Sequence, residues 1–413
     1  RACCCGLSGS DPGFRRPGKS LDRRLCCLSA PTPPPVRVAG SGLQYFVLGA
    51  LSSAISSTGG ALSYGATPGL SPAALTQQAS NPVEDSSMIL VGIAMILVGF
   101  GFKVSAVPFH MWTPDVYQGA PTPVVAFMAS AVKVAGFAGM ARVFWEGFGF
   151  YMDDWRPIIA FLAGISLIVG SFMALAQTNV KRMLAYSSIA HAGFMLAAVQ
   201  AIAVDDLGDS ALAGQALLFY MLAYTIMVAG TFGVMSLVGG RGDGSHTLDD
   251  YVGLSRSQPV LAGLMAVLLF SQAGIPFTSG FLAKFRVIFA TAGSGSYVLA
   301  GVAMLSAVVA AVLYLRIVVS MFLIQGPAVA HAATDSTVDA DASSDDGDAA
   351  DADVASAGDT DVIVARPASD IAVSRSALAA IFIAAAATVF LGVLPGVGSG
   401  VLEAAAVALA NLK

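Results

Sequence analysis

Nine apolar runs, each longer than 20 residues, follow one another along this chain. They lie at about 43–65, 86–109, 121–144, 156–178, 182–204, 211–238, 258–292, 297–324 and 375–410. A bilayer-spanning helix needs about 20 consecutive apolar residues. The runs are continuous and rich in Ala and Leu, without the alternation of barrel strands. Only 11% of residues are charged and 56% are hydrophobic, against about 25% charged in soluble domains. The expected fold is therefore all-α: a polytopic membrane protein of about nine transmembrane helices.

Two runs do not fit a simple spanning helix. The seventh is about 35 residues long. As one helix it would reach ~52 Å, against a hydrocarbon core of ~30 Å. Gly274-Ile275-Pro276 lies near its middle. A proline there removes a backbone donor and clashes one turn back, so a break is expected. The second run likewise continues into Pro108 and Pro114. A lone membrane proline often makes only a kink. Interrupted helices at membrane depth occur where they line protein or a wet cavity, and each of these two lies beside a lysine.

Four ionisable groups sit inside the runs away from clear interfaces: Lys103, Lys133, His191 and Lys284. Lys133 falls near the bilayer midplane, where a charge costs ~2.5–3.5 kcal/mol on insertion scales. It cannot easily snorkel to either surface, so proton or ion handling is the expected reason for it. Lys103 ends its run, and snorkelling explains it equally well. His191, in YSSIAHAGF, has an unperturbed pKa of ~6.5 that suits a relay. It could also simply bond a neighbouring helix. Lys284 follows the Gly274–Pro276 break, either as a relay or as an interfacial anchor. Burial disfavours the charged form of any lysine, so a buried lysine can exchange a proton near neutral pH. None of the three glutamates, Glu84, Glu146 and Glu403, lies clearly inside a run.

The rest of the sequence excludes more than it assigns. All five cysteines (3, 4, 5, 26 and 27) lie in the first 27 residues, which argues against iron–sulfur ligation or disulfides in the membrane part. No GxGxxG after a strand and no GxxxxGK[ST] occurs, so no nucleotide site is expected. Residues 1–40 hold 7 of the 21 Lys and Arg and no signal-like apolar core. They are expected to be a mis-called start or a disordered basic tail, with the main transmembrane domain following over 41–324. Residues 325–374 are rich in Asp, Ala, Ser and Thr, with ten aspartates between Asp335 and Asp361. Such a segment cannot bury enough surface to fold. A C-terminal helix is expected within 375–413. The connections 66–85, 146–155, 205–210 and 292–296 carry no Lys or Arg, whereas the alternate ones carry Arg37, Lys181 with Arg182, Arg241 with Arg256, and Arg366 with Arg375. The positive-inside rule then places the start of the domain and the 325–374 loop in the cytoplasm, and Lys413 outside.

GFKVSAVPFHMWTPDVYQGAPTPVVAF, KRMLAYSSIAHAGFM and GIPFTSGFLAKF together resemble the N subunit of bacterial respiratory NADH–quinone oxidoreductase, complex I. The likeness covers about residues 43–413. It implies fourteen helices in two inverted five-helix repeats with one broken helix each, so that the nine runs here would be the sixth to fourteenth and the chain N-terminally truncated. It also implies a proton path through Lys103, Lys133, His191 and Lys284. Lys103 would pair with a glutamate on a helix that this sequence does not contain. The function implied is proton translocation in the cell membrane, coupled to electron transfer from NADH to quinone in other subunits. This subunit would hold no cofactor or metal of its own and bind no nucleic acid. Its partners would be other membrane-arm subunits, lipid, water and protons. Two rival readings are a subunit of a multisubunit cation/proton antiporter, against which Trp112–Gln118 argues, and a structural membrane-arm subunit with no working channel.

Overall fold

The structure is a computed structural model that describes residues 36–66, 86–202, 207–239, 243, 246–323 and 374–394. Most of the expected N-terminal tail, the acidic loop and the far C-terminus, with Glu403 and Lys413, lie outside the described residues.

The described chain is all-α. Its helices are α1 (Val36–Gly65), α2 (Ser86–Val104), α3 (Trp112–Gly119), α4 (Thr122–Trp145), α5 (Met152–Leu175), α6 (Val180–Ile202) and α7 (Leu207–Gly239), followed by α8 (Pro259–Ala273), α9 (Ser279–Gly293), α10 (Tyr297–Phe322) and α11 (Arg375–Val393). Eight of them are long and apolar enough to cross a membrane. The pair α8–α9 supplies one more, interrupted crossing. The nine expected runs are thus each occupied by helix. The first helix starts at Val36, inside the segment expected to be unrelated to the domain.

Both expected breaks are present. α2 stops at Val104 instead of running on to 109, because Ser105 turns into the left-handed region at φ 63° and Pro108 offers no donor. The Phe102 carbonyl accepts from the Ser105 N–H at 3.2 Å and from the indole N–H of Trp112 at 3.1 Å. α8 stops at Ala273, where Gly274 adopts φ 89° and its N–H bonds the Phe270 and Ser271 carbonyls. Only glycine takes that conformation without steric cost. α11 crosses over this second break so closely that a Cβ on Gly392 would fall 2.3 Å from the Thr278 carbonyl carbon.

α6 is the axis of the bundle. It is buried around its whole circumference, its polar residues Ser187, Ser188, His191 and Gln200 included. It lies tightly along α5, with the Gly170 position facing the Ala190 and Tyr186 backbone and the Gly193 position facing Leu167 and Ala163. Small residues at these crossings let the two backbones approach. α7 and α9 also pack against α6. By contrast α4 packs on α7 and is not laid along α6. α4 also carries two π turns, Met128–Val132 and Val143–Gly147. The first ends immediately before Lys133, and such turns are frequent at functional sites.

Candidate functional site

The polar centre of the bundle is built on α4, α6, α7, α8, α9 and α10. Lys133, on α4, is 1% exposed. Its ammonium crosses to α6, donating to the Ser188 carbonyl oxygen at 2.8 Å and to the Ser188 hydroxyl. It also lies 6.0 Å from the centre of the Tyr224 ring, a weak cation–π contact.

One turn beyond Ser188 on α6, His191 is 3% exposed. Its Nδ1 is 2.7 Å from the Tyr220 hydroxyl of α7, and its Nε2 is 3.0 Å from the Tyr314 hydroxyl of α10. In a neutral imidazole one nitrogen donates and the other accepts, so each tyrosine can complement either tautomer. His191 also lies within electrostatic reach of Lys284 and Lys133.

Lys284, on α9, is 5% exposed. It donates to the carbonyls of Gln272 and Ala273 at 2.8 and 2.9 Å. These are the last carbonyls of α8, freed by the break. The negative end of a helix dipole favours a cation there. The Phe194 ring of α6 lies 5.5 Å from the ammonium, and that ring stacks on Tyr220. The Gly274 break therefore does two things: it exposes carbonyls at membrane depth and aims them at Lys284.

Three of the four lysine and histidine residues expected from the sequence are thus brought together, in the order Lys133, His191, Lys284. Lys103 is not. Its side chain is exposed at the end of α2 and makes no ion pair among the described residues. Its backbone lies against Gly136 of α4, one turn from Lys133. Tyr220, Tyr314, Tyr224 and Ser188 were not expected from the sequence. Among the described residues the buried hydroxyls of Tyr224 and Tyr117 have no partner at full hydrogen-bond geometry, and both lie close to the Ser188 hydroxyl. Buried hydroxyls are normally satisfied by protein or water. No carboxylate among the described residues pairs with this lysine–histidine line. The described ion pairs lie elsewhere: Lys181–Asp243, Arg182–Asp115 and His246–Asp243.

Two buried lysines and a histidine gathered at the centre, one of the lysines on the carbonyls of a broken helix, distinguish this bundle from a plain helical membrane anchor. A family model described as NADH:quinone oxidoreductase/Mrp antiporter, transmembrane, matches residues 27–310. The chain belongs to that family. Among curated members, NADH-quinone oxidoreductase subunit N of Trichlorobacter lovleyi is 43% identical over 288 residues, covering 69% of this chain and 58% of its own length. The subunit N of Mycobacterium tuberculosis H37Rv is 45% identical over 287 residues, covering 68% and 52%. The chain spans about half the length of the curated relatives it matches. Among solved structures, a chain of respiratory complex I from Thermus thermophilus with bound aureothin is 30% identical, with a TM-score of 0.67 over 92% of this chain and 72% of that one. A chain of the Mrp complex from Dietzia shares the fold, with a TM-score of 0.72 at 22% identity over 92% and 69%. The resemblance to N subunits expected from the motifs is therefore found among its relatives.

Proposed function

We propose that this chain is a proton-translocating membrane-arm subunit of a bacterial NADH–quinone oxidoreductase, with Lys133, His191 and Lys284 carrying the protons. The observation that carries the reading is the position of His191 between two buried lysines, with a tyrosine hydroxyl on each ring nitrogen. A proton arriving at one nitrogen is matched by release from the other, and the tyrosines can reset the tautomer. The reading requires water across the gaps on either side, for which the Tyr117 and Tyr224 hydroxyls offer buried attachment points. Lys103 would join the line from the α2 break when paired with a carboxylate. Electron transfer and its cofactors belong to other subunits, and those of the membrane arm are the partners. The protein resides in the bacterial cell membrane, with the 325–374 segment on the cytoplasmic side.

Replacing His191 by Leu tests this. The complex carrying it should oxidise NADH with quinone and pump fewer protons per NADH. An unchanged ratio would favour a structural membrane-arm role.

The description of the matching family also names the Mrp antiporter, so a subunit of a cation/proton antiporter is the second reading. Sodium-dependent transport restored to cells lacking complex I would support that reading over this one. The Trp112–Gln118 stretch, which forms α3 and bonds the α2 end through Trp112, resembles the N type and favours the first reading.

A further inference from the structure

A second polar cluster lies at one end of the bundle, away from the lysine–histidine line. Its centre is Asp243, in the connection between α7 and α8. One carboxylate oxygen accepts from the Lys181 ammonium of α6 at 2.6 Å and from the Thr122 backbone N–H of α4 at 2.9 Å. The other accepts from the Thr122 hydroxyl and lies 3.0 Å from His246 Nε2. Lys181, 3% exposed, also donates to the Ala120 carbonyl just ahead of α4. His246 Nδ1 is 2.9 Å from the buried Tyr251 hydroxyl. The His246 carbonyl accepts from Val180 N–H at the start of α6. One carboxylate thus ties the first residues of α4 to the first turn of α6.

These two helices are otherwise poorly joined. Among the described residues, side-chain hydrogen bonds link α4 and its lead-in to α6 at only two places. One is this cluster, and the other is Lys133 to Ser188. Lys133 is eleven residues beyond Thr122, about 16 Å along α4, and Ser188 is seven beyond Lys181, about 10 Å along α6. With little packing between them, the offset of the helices at Lys133 follows from how their ends are fastened.

We propose that Asp243 is a positioning residue for proton transfer: by clasping Thr122 and Lys181 it sets the register of α4 against α6 at which Lys133 meets Ser188. The proposal rests on the proton-carrying role of Lys133. The charged and titratable groups facing the clasp are Lys181 from α6, His246 and Asp250 with Tyr251 from the α7–α8 connection, and the neighbouring Arg182, which is held by Asp115 of α3. Burial alone would raise the Asp243 carboxyl. The hydrogen bonds from His246, Lys181 and Thr122, with the Lys181 charge, outweigh it and hold the group well below the usual carboxylate range. The clasp is therefore closed by an ionised carboxylate across the physiological range.

The test uses the assembled complex in membrane vesicles, measuring protons pumped per NADH oxidised. That ratio is insensitive to how much complex assembles. Asp243→Asn should at least halve it while NADH oxidation per assembled complex is kept, and an unchanged ratio would overturn the proposal. If Asp243→Asn does not assemble, Lys181→Met decides. It removes the α6 end of the clasp and leaves Asp243 bonded to Thr122 and His246. A lowered ratio supports the clasp, and a wild-type ratio overturns it. Lys133→Ala serves as the reference. If that variant pumps normally, the proton-path reading itself fails. If it does not, and the clasp variants do, only the clasp proposal fails.

Discussion

Lys133 of α4 and Ser188 of α6, 55 residues apart in the chain, meet through both oxygens of the serine. The hydroxyl and the carbonyl converge on one ammonium that has no carboxylate partner among the described residues. Such a lysine is held by dipoles alone, so its charge is not locked by an ion pair. Ser188→Ala removes one of the two acceptors and leaves the other. The expected result is a several-fold loss of pumping with a stability cost of about 1–3 kcal/mol at most. The pumping ratio and the melting temperature of the purified complex check it.

The Gly274 break should tolerate little. At φ 89° a Cβ is strained by roughly 1–2 kcal/mol, and it would sit 3.2 Å from Lys284 Cδ. Gly274→Ala is expected to lower the melting temperature and to move Lys284 off the Gln272 and Ala273 carbonyls. Pumping should then fall more than NADH oxidation. A variant with wild-type pumping would show that the lysine does not depend on the break.

The lysines, the histidine and the second break were legible in the sequence because each violates a strong rule. A charge at the midplane of an apolar run, or Gly-Ile-Pro inside one, has few bland explanations. Tyr220 and Tyr314 violate nothing. An aromatic on an apolar helix reads as core or interface, and only the packing of α7 and α10 onto α6 shows that both hydroxyls reach one imidazole. Asp243 was hidden differently. It lies in a short polar connection, where a carboxylate is ordinary, and its role comes from residues about 60 and 120 positions away. Lys103 shows the converse. Its place in the motif was clear, yet its side chain faces outward among the described residues.

Each hydroxyl on His191 should contribute. Tyr220→Phe leaves Nδ1 without its partner at 2.7 Å, and Tyr314→Phe does the same for Nε2. A buried unpaired nitrogen costs about 1–3 kcal/mol. Each single variant should pump less, and the double variant should approach His191→Leu. Normal pumping by the double variant would remove the tyrosines from the relay.

The Asp243 clasp gives a definite pH dependence. A carboxyl held below its ordinary value stabilises the fold above about pH 4, the unfolded-state value, and that contribution is lost as pH falls through the folded one. The melting-temperature deficit of Asp243→Asn should therefore be constant between about pH 5 and 8 and shrink only below about pH 4. A deficit that varied across neutral pH would mean the carboxylate is not the group that titrates there.

The most direct test of the lysine–histidine line is proton pumping per NADH in vesicles whose complex carries Lys133→Ala, set beside the rate of NADH oxidation in the same vesicles. The account expects NADH oxidation to persist and the pumped protons per NADH to fall, because the line is cut where α4 meets α6. A ratio equal to that of the unaltered complex would contradict it and leave this bundle a structural part of the membrane arm.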